Sequence, residues 1–200
     1  MADHYMHTIL TPSVRSAQQH YYQRDARLGE ASQKDLLTEE EALFISARDS
    51  FYLATVNEDG WPYVQHRGGA PGFLKVLGAS RLGFADLKGN RQLLSTGNIN
   101  TNSKTALFLM DYPRQERLKI IGHTQIWDAR TSPELLAQVA TPETQNLVER
   151  IFVMEVIGFD WNCPKYITPR FTAREVEEAI KPLKQRISEL EAQISRLMQN

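Results

Sequence analysis

The 200 residues are 42% hydrophobic and 24% charged, enough for one well-buried core and too few for two full domains. Lysine and arginine number 23 against 24 aspartates and glutamates, so there is no global field to collect nucleic acid or an acidic membrane surface, and a small ligand or a protein partner is expected. Cys163 is the single cysteine, the N-terminal stretch holds no signal-like apolar core, and no run approaches the roughly 18 apolar residues of a spanning helix; a reducing, cytoplasmic setting is expected.

In chain order, Met1 to Leu10 reads as a loose leader, with His4 and His7 either metal ligands or incidental residues of a frayed end. Thr11 and Pro12 supply a cap and a first-turn proline for a helix to about Leu28, whose thin apolar stripe (Val14, Ala17, Tyr21, Leu28) suits the outside of a domain or a partner. Gly29 ends it, and Thr38 with Glu41 forms a capping box for a short second helix.

The segment from Phe51 to Gly69 predicts a hairpin: a strand over Phe51 to Val56, the turn formers Asn57 to Gly60, and a return through Trp61 to Arg67. Alternation sets Tyr63, Gln65 and Arg67 on one face of the return strand and Val64 and His66 on the other. Arg67 beside Gly68 and Gly69 is either a seat for a phosphate or an edge-strand arginine before an ordinary loop. Phe73 to Leu77 and Arg81 to Ala85 predict a second hairpin, followed by turn formers from Asp86 to Arg91 and a short helix beginning near Leu93. Asn90 and Arg91 at that helix start offer an amide and a guanidinium to an anion, or else belong to a solvated connection.

Strands are predicted over Lys104 to Met110 and Arg117 to Trp127, helices over Pro133 to Val139 and Pro142 to Arg150, and a buried strand over Ile151 to Ile157. Six or seven strands joined by short turns make an antiparallel meander, which curls into a barrel to bury its inner face. The fold class is therefore mainly β, with short helices and a long C-terminal helix. In Phe159 to Phe171, Trp161, Tyr166 and Arg170 are candidates for a substrate wall or for structural packing, and Cys163 for redox chemistry or an inert thiol. Val176, Ile180, Leu183, Ile187, Leu190, Ile194 and Leu197 follow a heptad, either a coil between subunits or a helix packed on the barrel, with a restart or kink expected at Pro182. The chain divides into a helical segment (1–37), a barrel domain (38–160) and a loop with the final helix (161–200).

The capped helix, the turn ATVNEDGWPY, the basic end QHRGG, the segment RLGFADLKGNRQ and the strand ERLKIIGHTQIWD resemble the pyridoxamine 5'-phosphate oxidase-like family of FMN-binding split barrels over roughly residues 38 to 160. The resemblance implies a homodimer with FMN at the subunit interface. It implies that Gln65, His66 and Arg67 meet the cofactor, with Arg67 on the phosphate; that Asn90 and Arg91 complete the phosphate pocket; that Phe84 and Ala85 approach the flavin through their backbone; and that Arg117 lies near its reactive edge. QHRGGAPG stands where the true oxidase carries an arginine, an apolar run and a lysine, which points away from pyridoxamine phosphate as substrate. No nucleophile elbow or zinc motif competes with a flavin as the chemical agent. The implied activity is two-electron transfer between FMN and a small organic substrate, with a nicotinamide or oxygen as the other partner. The alternative is a non-catalytic flavin- or haem-binding split barrel for sensing, storage or assembly.

Overall fold

In the computed structural model, which describes residues 3–24, 34–89, 91–161 and 165–199, seven strands form one antiparallel sheet. They are β1 (Ser50–Val56), β2 (Pro62–Gly68), β3 (Lys75–Gly78), β4 (Arg81–Leu87), β5 (Lys104–Asp111), β6 (Glu116–Asp128) and β7 (Val148–Trp161). Their order is β2-β1-β5-β6-β7-β4-β3. Alternate residues of β1 and β5 are buried, so each strand gives one face to a common interior built from Phe51, Leu53, Leu107, Leu109, Leu118, Ile120 and Phe152.

Contacts across the interior show that the sheet rolls up. Strands β1 and β4 are not neighbours in the ladder, yet the Phe51 ring meets the Phe84 ring edge-on at 5.2 Å and stacks on Phe73 at 5.3 Å. Arg67 of β2 forms an ion pair with Asp86 of β4. The two outermost strands, β2 and β3, share no ladder, which makes the barrel split, as the family resemblance implied.

Among the described residues six helices decorate it: α1 (Asp3–Ile9), α2 (Pro12–Tyr22), α3 (Glu39–Ser46), α4 (Leu94–Thr101), α5 (Pro133–Val139) and α6 (Ala173–Leu197). Helix α3 has the expected capping box between Thr38 and Glu41. Helix α5 covers the outer side of the sheet through Val139, which clusters with Val148, Ile151 and Val153, and β7 is therefore buried on both faces.

Three expectations are corrected. The N-terminal leader is not loose: it forms α1, whose Tyr5 is buried, because the buried Asp35 carboxylate accepts from the His4 and Tyr5 N–H groups (both 3.0 Å) and from Phe159 N–H (3.3 Å). Gly158 of β7 permits this docking, since a Cβ there would lie 2.6 Å from Tyr5 N. Helix α2 stops at Tyr22 because Gln23 turns left-handed (φ 50°) and donates to Gln19 O; Leu28 and Gly29 fall outside the described residues. The helix expected over Pro142 to Arg150 is a 3-10 turn (Gln145–Leu147) followed by strand, because pairing with β4 from Leu87↔Val148 onward claims that backbone. Helix α6 runs through Pro182 as one element.

Candidate functional site

The alternation of β2 sets Tyr63, Gln65 and Arg67 together on the wall of a polar cavity of about 170 Å³. The opposite wall is the end of β4 with Asp86, the start of β7 with Arg150, and the turn leading into α4 with Arg91. Asp86 is buried on a strand, and its carboxylate is held from both sides: Arg67 Nη1 donates to Oδ1, and Arg150 Nε donates to Oδ2 at 2.8 Å. One carboxylate thus aligns two guanidinium groups, and Arg91 adds a third beside them. Arg67 Nε is buried with no hydrogen-bond partner among the described residues. An unspent charged donor at a cavity wall is costly unless a ligand satisfies it.

Helix α4 points its beginning into the same cavity. Its N-cap, Leu93, makes no side-chain capping bond, so among the described residues the first turn has no side-chain cap of its own. Arg91 and Leu93 hold left-handed backbone at φ 62° and 55°, a conformation that non-glycine residues adopt at a cost and that clusters at ligand clamps. The helix is pinned in place by Ser95 Oγ, which donates to Gln65 Oε1 at 2.8 Å, and by Asn98 Nδ2, which donates to Thr55 Oγ1 at 2.8 Å.

A second cavity of about 390 Å³ adjoins the first, sharing Gln65, Arg67, Asp86 and Leu87. Its walls include Phe73, Phe84, Ala85 and Val139, with His66, Lys75 and Thr144 as polar members. The backbone turn from Gly68 to Pro71 forms one side, and Gly69 is required there because a Cβ would stand 2.7 Å from the Phe73 ring. A polar, cationic chamber opening into a larger apolar one suits an elongated ligand with an anionic end and a flat body.

The structure therefore brings together Gln65, Arg67, Ala85 and Arg91. Phe84 borders the second cavity but turns its ring into the core, stacked on Phe152 at 4.9 Å. His66, on the other face of β2, borders the second cavity and meets Tyr52 edge-on at 5.6 Å. Asn90 and Cys163 lie outside the described residues. Arg117 stands near the opposite end of β6 from Trp127, paired with Met110, and lines neither cavity; its Nε is buried without a partner.

Trp161, Tyr166 and Arg170 are not brought to these cavities. The Trp161 indole donates to Glu41 Oε1 at 2.7 Å and packs edge-on against Phe44, Tyr166 is 91% exposed, and the Arg170 guanidinium lies 5.1 Å from the Tyr112 ring centre. Burial, together with the hydrogen bond the Tyr112 phenol makes to Tyr52, holds it above its ordinary value, against the opposing charge of Arg170.

Asp86 and Arg150 were not found from the sequence. Asp86 carried a signal, an acid two residues from Phe84 on an inward strand face, which demands a buried cation. Arg150 carries none, since its segment has a helical pattern and strand register sets it opposite Asp86.

Residues 37–153, more than half of the chain, match the family of pyridoxamine 5'-phosphate oxidase. The chain belongs to that family. The family match contains Arg67, Asp86, Arg91, Arg117 and Arg150 and ends before Trp161. Among solved structures, one similar to this chain is a putative pyridoxamine 5'-phosphate oxidase from Lactobacillus delbrueckii, at 23% identity and TM-score 0.50, covering 64% of this chain and 95% of that one. HupZ of Group A Streptococcus is similar at 13% identity and TM-score 0.50, covering 68% and 99%. An FMN-binding protein from Syntrophomonas wolfei is similar at 11% identity and TM-score 0.43, covering 62% and 85%. No protein of curated function matches the chain. The two likenesses at TM-score 0.50 show a shared fold. Among the described residues no helix is long and apolar enough to cross a membrane, and no three His, Cys, Asp or Glu side chains gather as a metal site.

Proposed function

We propose that this member of the pyridoxamine 5'-phosphate oxidase family is an FMN-dependent oxidoreductase that transfers two electrons between the flavin and a small organic substrate, with a nicotinamide as a candidate second substrate. The observation that carries the reading is the buried, unpartnered Nε of Arg67 in a chamber that also holds Arg91, Arg150 and the uncapped start of α4. That donor set fits a phosphate monoester: several forked cations, free backbone N–H groups, and one carboxylate that fixes two of the cations without cancelling their combined charge. It also supports FMN over riboflavin, which has no phosphate to satisfy Arg67.

Arg67, Arg91 and Arg150 would hold the phosphate, and Ser95, through Gln65, would keep the entrance of α4 at the correct distance. Phe73, Ala85 and Val139, with the backbone of Phe84, would enclose the ring and exclude water, while His66 and Lys75 supply polar groups at the same chamber. FMN, when bound, supplies two-electron acceptance and donation. The residues of the chain position it and set what reaches it. As the family resemblance implied, a second copy of the chain is the proposed partner; exposed Tyr52 and Val64 on the outer face of the barrel support an apolar contact there.

The test is anaerobic spectroscopy of the purified full chain after loading with FMN and removal of the excess. Retained flavin that is bleached by NADH or NADPH and restored by oxygen over repeated cycles is expected. Retained flavin that neither nicotinamide nor a panel of small organic reductants bleaches would replace the enzyme by a binding protein. Failure to retain FMN would remove the cofactor assignment.

A further inference from the structure

Helix α6 spans 25 residues, about 37 Å at 1.5 Å per residue. None of them is buried. Yet its apolar side chains form one continuous stripe, Val176, Ile180, Leu183, Ile187, Leu190, Ile194 and Leu197, spaced alternately by four and three residues, and Leu183 (64%) and Ile194 (56%) are largely exposed. A helix that needed only solubility would not concentrate all its large aliphatic residues on one side. The stripe is a seam without a second half.

We propose that the second half is α6 of another copy of this chain, wound parallel and in register as a two-stranded coil. Ile180, Ile187 and Ile194 occupy one core position of the heptad and Leu183, Leu190 and Leu197 the other; β-branched residues at the first and leucine at the second favour two parallel strands. The flanking charges agree. In that register Arg186 of each copy stands beside Glu191 of the other, giving two symmetric ion pairs, while Lys184 faces Ala179 and Gln193 faces Met198, so no like charges meet. Within one chain Arg186 pairs with Glu189 of its own helix, at 3.3 Å and in solvent. Pro182 falls on the outer side of the coil, where its ring and missing N–H leave the seam intact, and α6 is unbroken there. The Thr172–Glu175 capping box gives the helix a start of its own.

Disulfide trapping in the full-length chain tests this. In a Cys163→Ser background, Leu183→Cys and Leu197→Cys should each give disulfide-linked dimer on mild oxidation. The yield should be about tenfold above that of Gln185→Cys, because like core positions in a parallel coil fall within disulfide range and outer positions do not. An antiparallel coil would set Leu183 opposite Ile194 of the other copy; trapping only in a mixture of Leu183→Cys and Ile194→Cys chains would overturn the parallel register. Yields at 183 and 197 no higher than at 185 would overturn self-association through α6. Adding Ile187→Glu and Leu190→Glu to the Leu197→Cys chain should reduce trapping about tenfold while the barrel's circular dichroism persists; trapping that survives both glutamates would mean that the barrels alone hold the helices close, and would overturn the coil.

Discussion

Replacing Arg67 by alanine separates the phosphate assignment from a general role in holding the pocket. The lost group is a guanidinium whose side chain is 18% exposed, with one nitrogen engaged by Asp86 and Nε unspent. A hydrogen bond to a charged partner in such a setting contributes about 1.5–3 kcal/mol, so FMN should bind about 10- to 150-fold more weakly. Riboflavin, which has the same ring and no phosphate, should lose little. Folding should largely survive, because Arg150 still donates to Asp86 at 2.8 Å and the carboxylate keeps a cation; a loss of about 1–2 kcal/mol, or a few degrees in Tm, is expected. Flavin fluorescence titrations of both ligands against wild type and variant give the comparison, with thermal unfolding as the control. An equal loss for FMN and riboflavin, or no loss of FMN affinity in a folded variant, would refute the assignment of Arg67 to phosphate.

Three further outcomes are expected. Ser95→Ala leaves Gln65 Oε1 without its 2.8 Å donor at a buried position, so stability should fall by about 1–3 kcal/mol in urea unfolding, with FMN affinity falling as α4 loosens; unchanged values would show that Ser95 does not pin the helix. Gly158→Ala forces a Cβ against Tyr5 N and Asp35 Oδ2, at 2.6 and 2.9 Å, so α1 should leave β7 at a cost of about 1–3 kcal/mol, read as faster proteolysis around Leu10; protection equal to wild type would contradict that packing. Glu41 is governed by burial, which raises its pKa, and by hydrogen bonds from Thr38 and Trp161, which together outweigh burial and hold it below its ordinary 4.5. A folded-state pKa below the unfolded one means that its stabilisation is present above the unfolded value and is lost as pH falls through the folded value. Wild type should therefore lose more stability than Glu41→Gln on acidification from pH 5 to 3, measured by urea unfolding with Trp161 fluorescence; parallel curves would remove Glu41 from the acid response.

Much of the fold was determined by sequence alone, where the physics is local. The Thr38–Glu41 capping box, the Asn57 to Gly60 turn and the alternation of Tyr63, Gln65 and Arg67 each follow from residues a few positions apart, and each appears in the structure. The roll of the sheet followed from the number of strands that needed an inner face. Helix α1 and the start of β7 were not legible, because distant partners decide them: Asp35 caps α1 from some thirty residues away, and β4 draws Val148 to Arg150 out of a locally helical pattern. The site divides in the same way. Arginine beside glycine marked Arg67, but its unspent Nε, its tie to Asp86 and the alignment of Arg150 depend on β2, β4 and β7 meeting as the sheet rolls up. Sequence carried the donors; tertiary structure set the distances and burial that let them act as one anion seat, because electrostatic strength depends on geometry and desolvation that no single segment contains.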